Sequence, residues 1–228
     1  MRHEKNAAIV LAAGKGTRMG SDIPKQFLDI QDKPVLFYSL KVFQDSPLIS
    51  EIILVIGKEW QEYCREKILK PYGISKVVKM VEGGQERYDS VYAGLSACGQ
   101  CDYVFIHDGA RPFVTEEILE RCMDSVRENK ACVVGMPSKD TIKIADDEKN
   151  IVSTPVRSSV WIIQTPQVFS YDLIRTAYEE MLIRGMDGIT DDAMVVEAAK
   201  QCKVKLIEGS YENIKITTPE DIKIAQIF

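Results

Sequence analysis

Short apolar runs alternate with segments of helical periodicity along most of this chain, and this alternation limits the possible folds more than any other feature. The apolar runs predict strands over Ala7–Ala12, Glu51–Ile56, Lys76–Val81, Tyr103–His107 and Ala131–Met136. Helices are predicted between them, over Val35–Phe43, Glu59–Leu69 and Arg87–Ala97 and beyond an N-cap at Thr115. Strands separated by helices indicate an α/β fold with a mostly parallel, doubly wound sheet. The chain has 228 residues, which suits a single domain over 1–228.

A loop rich in glycine and cations follows the first predicted strand. It runs from Leu11 to Gly20 and continues into Pro24-Lys25-Gln26. Small residues let a ligand approach the backbone closely, and consecutive N–H groups can form a nest for anions. The cations of the loop add positive charge where phosphates would lie. The loop therefore predicts a nucleoside triphosphate site.

The loop matches neither of two common phosphate motifs. The segment Gly14–Gly20 has the form GxGxxxG, one residue longer than the dinucleotide fingerprint. A Walker A loop has Lys directly after its last Gly, but Gly20 is followed by Ser21 and Asp22. Considered alone, the segment could be an ordinary glycine-rich turn.

Two further clusters follow predicted strands, at the carboxyl edge where such sheets bind ligands. The first, Gly83–Val91, holds Arg87 and Ser90 three residues apart on the first turn of a helix. The second, His107–Pro112, places Asp108 at a strand end, where a carboxylate can hold Mg²⁺ against phosphates, with Arg111 spaced for a second anion. His107 itself is interpreted as a packed strand residue.

The segment from Asp140 to Trp161 interrupts the strand–helix alternation. An alternating stretch over 141–145 and another over 151–154 flank a polar turn, which predicts a β-hairpin. This hairpin is too polar for the core, and a lone hairpin is marginal in water. We expect a projecting β-hairpin arm over 139–160 that docks on a second copy in a two-fold dimer. The alternative is an arm folded back on its own domain.

The last part of the chain predicts helices over Ser170–Ile183 and Asp191–Lys200, a late strand over Cys202–Ile207, and a final helix after Thr218. Polar groups also recur there at positions interpreted as loops after strands. They are Arg157, Gln164–Gln167, Gly188–Ala193 and Asn213–Thr217. Each has an ordinary structural explanation when taken alone, for example a helix N-cap at Thr190-Asp191-Asp192.

The composition excludes several classes of function. A net charge of −5 argues against a nucleic-acid partner, and no apolar run is long enough for a membrane span. The N-terminus has no signal-peptide pattern, and the six cysteines are expected to be reduced thiols, which indicates the cytoplasm. Two histidines in the whole chain give little support to histidine-based catalysis or to a zinc site. Cations, metal-capable Asp residues and backbone donors instead suit phosphoryl or nucleotidyl transfer, in which positioning and charge stabilisation dominate.

Together these motifs resemble a known family. The segments Leu11–Met19 and Pro24–Gln26 resemble the signature of sugar-phosphate nucleotidylyltransferases. The whole ordered set resembles the 2-C-methyl-D-erythritol 4-phosphate cytidylyltransferase family of the non-mevalonate isoprenoid pathway, from about Ala7 to the C-terminus. The remaining motifs in that set are Gly83–Val91, His107–Pro112, Asp140–Thr141, Gln164–Gln167, Thr190–Ala193 and Asn213–Thr217.

The resemblance implies a Rossmann-like, three-layer α/β/α nucleotidyltransferase fold and a role for each motif. CTP would lie on the glycine loop, and the implied nucleotide-binding residues are Ala13, Gly14, Gly16, Gly84, Arg87, Ser90, Asp108 and Gly109. Asp108 would help to hold Mg²⁺. Arg18, Lys25 and Lys215 would surround the α-phosphate as catalytic residues.

The resemblance also implies how the acceptor, a sugar (alditol) phosphate, is held. The acceptor-binding residues of one subunit would be Arg111, Thr165, Thr190 and Lys215, and Thr141 and Arg157 would reach the same site from the arm of the partner in a homodimer. A ribitol-5-phosphate or other alditol-phosphate cytidylyltransferase would share the loop, the fold and the reaction, so the acceptor stays open at this point. A nucleotide-sugar-binding regulator is disfavoured because all three catalytic cations are present, and a Rossmann dehydrogenase is disfavoured by the loop spacing.

Overall fold

A seven-stranded sheet runs through the part of the chain that the computed structural model describes, residues 4–14 and 23–228. The strands in chain order are β1 (Asn6–Ala12), β2 (Asp29–Ile30), β3 (Lys33–Pro34), β4 (Glu51–Ile56), β5 (Val77–Val81), β6 (Tyr103–Asp108), β7 (Ala131–Pro137), β8 (Ile144–Ala145), β9 (Ile151–Ser153), β10 (Trp161–Ser170) and β11 (Lys205–Glu208). The spatial order in the large sheet is β11-β7-β10-β6-β1-β4-β5. Every strand pair in it is parallel except those that β10 makes with β6 and β7.

Helices cover both faces of this sheet. They are α1 (Val35–Asp45), α2 (Gln61–Cys64), α3 (Arg87–Ala97), α4 (Glu116–Asn129), α5 (Tyr171–Arg184), α6 (Asp192–Ala198) and α7 (Pro219–Ala225). Successive strand residues point to opposite faces: Ala8 and Val10 of β1 pack with α1 and α4, and Ile9 packs with α3, α5 and α6. This arrangement confirms the predicted three-layer α/β/α architecture with a mostly parallel sheet.

The predicted elements agree with the observed ones to within a few residues at most ends. Strand β4 and helix α3 begin and end as predicted, and Thr115 is the N-cap residue of α4. The predicted helix over 59–69 is helical but irregular: a 3₁₀ turn over Lys58–Trp60 leads into α2, and a π-helical stretch over Arg65–Leu69 follows. The small hairpin formed by β2 and β3 was not predicted.

Strand β10 corrects the sequence analysis. Gln164–Gln167 was interpreted as a loop after a strand, yet it lies inside β10, in the middle of the sheet. The β10–β7 register shifts between Ile163 and Gln167, at a bulge that accommodates Pro166, which has no N–H for the ladder. Thr165, Gln164 and Gln167 are buried there. Gln164–Gln167 contains a proline and polar residues and lacks the apolar pattern that predicts a strand.

The segment over 139–160 contains the short antiparallel pair of β8 and β9. Its apolar side chains are exposed in this single chain, including Ile151 at 63%, Val152 at 65% and Val156 at 72%. The role of this segment as a dimerisation arm stays a prediction. Within the described residues, no helix combines the length and the apolar character needed to cross a bilayer.

Candidate active site

A cavity of about 810 Å³ opens at the carboxyl edge of the sheet, where β1, β5 and β6 end. The ends of β1 and β6 lie side by side, because Leu11 pairs with Asp108. Eight residues predicted for the site line this cavity: Ala13, Gly14, Lys25, Gly84, Arg87, Ser90, Asp108 and Lys215. The structure therefore brings together groups from both ends of the chain.

Asp108 is the centre of charge in this cavity. Lys215 Nζ lies 2.7 Å from its Oδ2, while Arg111 Nε and Arg87 Nε lie 3.8 and 3.7 Å from its two oxygens. Burial by itself would raise the pKa of the Asp108 carboxyl, but Arg87, Lys215 and Arg111 outweigh burial and hold that pKa well below its ordinary value. Asp108 is therefore ionised at neutral pH.

Arg87 is held from behind by Asp192, the first residue of α6. Arg87 donates from Nη1 and Nη2 to the two oxygens of Asp192, at 2.9 and 2.7 Å. The Asp192 side chain is fully buried, and Tyr178 donates its hydroxyl proton to the same carboxylate at 2.6 Å. Burial favours a lower pKa for Arg87, but Asp192 and Asp108 outweigh burial and raise it, so the guanidinium stays charged. Breaking such a buried pair on one side costs about 3–5 kcal/mol.

A hydrogen-bonded network fixes the end of β6. The Asp108 N–H donates to Thr165 Oγ1 at 3.0 Å, and Thr165 Oγ1 lies 3.0 Å from His107 Nδ1. His107 Nε2 lies 3.1 Å from the Arg111 carbonyl, which can only accept, so Nε2 carries the proton and Nδ1 accepts from Thr165. Burial lowers the pKa of His107 to about 4, which keeps the ring neutral. His107 is thus a packed strand residue, as predicted.

Lys215 is placed by a loop that lies against the end of β6. The Ile216 N–H donates to the Ala110 carbonyl at 2.8 Å, and Arg111 Nη1 donates to the Asn213 carbonyl at 2.7 Å. The buried Asn213 amide in turn donates to the Thr165 carbonyl at 3.0 Å. These bonds hold the Lys215 ammonium on the Asp108 carboxylate.

The described part of the glycine loop is held by Gln26. Its Nε2 donates to the Ala12 carbonyl at 2.5 Å and to the Gly14 carbonyl at 3.3 Å. Lys25 precedes Gln26 at the cavity wall, on a short 3₁₀ turn over Lys25–Phe27. Two of the predicted residues, Gly16 and Arg18, lie outside the described residues.

The turn before α3 forms the facing wall. A Cβ at Gly83 would lie 2.3 Å from the Ala13 Cβ, so only glycine lets this turn approach the end of β1. The Gly84 N–H donates to Ser90 Oγ at 3.1 Å, and Glu86 and Asp89 form a capping box at the start of the helix. Ser90 therefore positions the backbone of Gly84 at the cavity.

The other predicted residues lie elsewhere. Gly109 is packed against the end of β1, since its N–H donates to the Leu11 carbonyl at 2.8 Å. The Thr165 hydroxyl is engaged in the His107 network described above, and Thr190 is exposed on the loop before α6. Thr141 and Arg157 contact each other in the 139–160 segment, with Arg157 Nη2 donating to Thr141 Oγ1 at 2.9 Å, and neither lines the cavity of this chain.

Asp192 and Gln167 have roles that the sequence analysis missed. Gln167, buried on β10, accepts from the N–H groups of Asp192 and Ala193 at 3.0 and 2.9 Å and donates to Asp191 at 3.0 Å. Both residues belong to motifs that the analysis singled out. Their partners are far away in sequence, however, and the spacing of residues along one chain carries no signal for such pairs.

The arrangement suits the binding of a polyanion and the stabilisation of charge on it. Among the described residues, four cations lie at or beside the cavity against three carboxylates, so a net positive charge remains. The cations are Lys25, Arg87, Arg111 and Lys215, and the carboxylates are Asp108, Glu86 and Asp192. The His107 ring is buried and neutral and lies behind the wall, which argues against histidine-based proton transfer. Nucleotidyl transfer needs this equipment, because it proceeds largely by positioning and charge stabilisation.

The donor set also fits a magnesium ion shared with a bound phosphate. Asp108 supplies one carboxylate at the cavity, and Arg87 Nε approaches its Oδ1 only to 3.7 Å. No group of three or more His, Cys, Asp and Glu that could hold a metal occurs within residues 4–14 and 23–228. Mg²⁺ often binds through one or two carboxylates together with waters and substrate phosphates, so a single carboxylate is enough for such a site.

Comparison with known proteins identifies a family over nearly the whole chain. Residues 6–228 match the family model described as "IspD: 2-C-methyl-D-erythritol 4-phosphate cytidylyltransferase". A protein of that name from Lachnospira eligens is 51% identical over 224 residues, which cover 98% of each chain. Another from Lachnoclostridium phytofermentans is 49% identical over 98% of this chain and 95% of that protein.

Solved structures show the same likeness. The 4-diphosphocytidyl-2C-methyl-D-erythritol synthase from Anaerococcus prevotii superposes with a TM-score of 0.86 at 37% identity, covering 98% of this chain and 97% of that one. The 2-C-methyl-D-erythritol 4-phosphate cytidylyltransferase from Thermus thermophilus superposes with a TM-score of 0.80 at 28% identity, over 98% of each chain.

Proposed function

The chain belongs to the 2-C-methyl-D-erythritol 4-phosphate cytidylyltransferase family, and from this membership we propose how its cavity performs the reaction. The enzyme transfers the cytidylyl group of CTP to 2-C-methyl-D-erythritol 4-phosphate and releases pyrophosphate. One observation supports this site above all others: Asp108 lies among three cations at a cavity lined by the start of the glycine loop, up to Gly14, and by the Gly83–Gly84 turn.

The chemistry needs no general base. A phosphate oxygen of the acceptor, which is already anionic, attacks the α-phosphorus of CTP and forms a new P–O bond. The bond from the α-phosphorus to the bridging oxygen breaks, and that oxygen leaves with pyrophosphate. Lys25 and Lys215, together with Arg18 outside the described residues, offset the charge that accumulates on the α-phosphate.

Magnesium belongs to this proposal as well. Asp108 would hold it, with the remaining ligands drawn from phosphate oxygens and water. Bound there, the ion would neutralise phosphate charge and orient the triphosphate. Asp108 stays ionised because of its cations, so this ligand is available at neutral pH.

The acceptor side of the site is proposed to be shared between two subunits. Thr141 and Arg157 contact each other on an exposed segment and do not line the cavity of their own chain. The exposed apolar residues of the same segment would be covered in a two-fold dimer. In that dimer the arm over 139–160 would deliver both residues to the acceptor in the partner's cavity.

We also propose that the enzyme works in the cytoplasm, which supplies CTP and keeps the cysteine thiols reduced.

The release of pyrophosphate from CTP tests the activity and the acceptor together. Purified enzyme with MgCl₂ and CTP is given either 2-C-methyl-D-erythritol 4-phosphate or ribitol 5-phosphate. We expect rapid release only with the first acceptor, and CDP-methylerythritol as the second product. Turnover with ribitol 5-phosphate alone would reassign the acceptor, and no release with either would refute the activity.

A further inference from the structure

Asp192 does not line the cavity itself but is joined to its wall through Arg87. Its carboxylate accepts hydrogen bonds from both terminal nitrogens of Arg87, and Arg87 forms part of the cavity wall. We propose that Asp192 is a positioning residue for CTP binding, which acts by fixing the orientation of the Arg87 guanidinium. The proposal rests on the proposed function, because it takes the cavity to be the nucleotide site.

The geometry shows why Arg87 needs a second carboxylate. Arg87 lies between Asp192 and Asp108, and a guanidinium can form a two-pronged contact with either of them. Asp192 takes the two-pronged contact, so only the Nε edge of Arg87 faces Asp108, at 3.7 Å. This division leaves Asp108 Oδ1 without a close contact from Arg87.

Asp192 is held rigidly enough to impose this orientation. Gln167 on β10 accepts from the backbone N–H groups of Asp192 and Ala193 and so fixes the start of α6, where Asp192 lies. Asp192 is 0% exposed, whereas the Arg87 side chain is 28% exposed at the cavity. Asp192, which is buried and fixed, therefore sets the position of the partly exposed Arg87 side chain.

Loss of the negative charge at residue 192 would remove the ion pair that orients the Arg87 guanidinium. Asp108 would be the remaining charged partner of Arg87, so the guanidinium would turn towards Asp108. The cavity wall would then lose its guanidinium, and Asp108 would be covered. Both effects weaken the binding of CTP and leave the acceptor side and the attacking groups in place.

Steady-state kinetics of Asp192→Asn test this inference, with Tyr178→Phe as the matched control. Asn has nearly the same shape as Asp and keeps a polar group for Tyr178, but it lacks the charge that holds Arg87. We expect KM for CTP and the Kd for CTP from calorimetry to rise at least about 10-fold, as for the loss of a charged hydrogen bond. KM for the acceptor and kcat at saturating CTP should change little, which is the pattern of lost ground-state binding. Tyr178→Phe removes the other side-chain bond to the same carboxylate and should keep a normal KM for CTP.

A second pair of variants shows whether Asp192 acts through Arg87. If it does, Asp192→Asn added to Arg87→Gln should weaken CTP binding no further than Arg87→Gln alone. This double variant leaves neither charge buried without its partner, so it also serves if Asp192→Asn alone does not fold. Additive losses in the double variant, or an equal rise in KM for CTP with Tyr178→Phe, would overturn the inference. A wild-type enzyme that binds CTP but releases no pyrophosphate would refute the activity alone, because calorimetry still measures the effect of Asp192.

Discussion

Lys215 Nζ lies 2.7 Å from Oδ2 of Asp108, so a loop near the C-terminus completes the charge centre at the end of β6. A lysine held by this contact already lies at the cavity and needs little reorganisation to meet a phosphate. The same contact lowers the pKa of the Asp108 carboxyl, together with the effect of the two arginines. Charge stabilisation at the α-phosphate should therefore depend strongly on this side chain.

Replacement of Lys215 should affect turnover first. We expect Lys215→Ala, and equally Lys25→Ala, to lower kcat by at least ~100-fold, comparable to the loss of one oxyanion donor. Lys41→Ala is the control, because Lys41 pairs with Asp45 on the exposed surface of α1 and should leave kcat unchanged. Pyrophosphate release at saturating CTP and acceptor measures the effect, and near-normal turnover in either cavity variant would remove that lysine from the catalytic set.

Replacement of Arg157 should affect the acceptor alone. Arg157→Ala removes a cation that we assign to the acceptor phosphate, so KM for 2-C-methyl-D-erythritol 4-phosphate should rise about 10-fold or more. KM for CTP should stay close to that of the wild-type enzyme. Measuring both constants in one series separates this effect from a general loss of folding.

Sharing of the site between subunits has its own test. Lys25→Ala and Arg157→Ala protomers, unfolded together and refolded as a mixture, should form some dimers in which one cavity holds both wild-type groups. Assayed at an acceptor concentration well below KM, where Arg157→Ala is slow, the mixture should recover activity to above that of either parent. Recovery no greater than the mean of the parents, with mixed dimers shown by mass spectrometry, would mean that each cavity uses its own arm.

Gly83 should not tolerate even one methyl group. In Gly83→Ala the new Cβ would lie 2.3 Å from the Ala13 Cβ, so the two walls of the cavity would have to separate. We expect weaker CTP binding and a lower melting temperature. Gly99→Ala is the matched control, because the nearest atom to its Cβ would be Lys5 Nζ at 3.5 Å and its melting temperature should not fall.

The stability of the protein should fall in mild acid because of His107. Burial lowers the pKa of this ring from 6.5 to about 4, so the unfolded chain binds a proton at a pH at which the folded chain does not. The free energy of unfolding is unaffected by this pKa difference above pH 6.5. It falls progressively as the pH falls towards 4, by roughly 3 kcal/mol in total. Urea unfolding between pH 7 and pH 4.5 should show this loss in the wild-type protein. His107→Gln can keep a donor to the Arg111 carbonyl, and its free energy of unfolding should depend less on pH over the same range. Equal slopes for the two proteins would exclude His107 as the source.

The sequence predicts the repeating part of the fold well and the site in outline. Strands such as β4 are continuous apolar runs, and helices such as α3 begin at capping residues, so both are encoded locally. Strand β10 is different, because its polar residues are buried by partners that lie far away in sequence. Gln167 is satisfied by the start of α6 and Thr165 by His107, and no local pattern marks either contact.

Site residues could be predicted where their own residue types indicate the chemistry. Asp108, Lys215 and Arg87 belong to motifs whose residue types indicate phosphate chemistry, and the structure brings them together. The pairing of Arg87 with Asp192 joins residues from separate motifs, and Asp192 by itself looks like part of a helix start. The spacing of residues along one chain indicates which kinds of groups are present, but it does not indicate which of them meet.

Strand β10 also bears on how this enzyme can vary in length. It runs directly from the 139–160 segment into the middle of the sheet, between β6 and β7. An insertion or deletion of one residue within β10 would move alternate side chains to the opposite face and separate Thr165 and Gln167 from their partners. The polar turn between β8 and β9 joins the strands of a separate two-stranded sheet, so added or lost residues there leave the β10 register intact. Natural length variation in the arm should therefore concentrate at that turn and stop at Trp161.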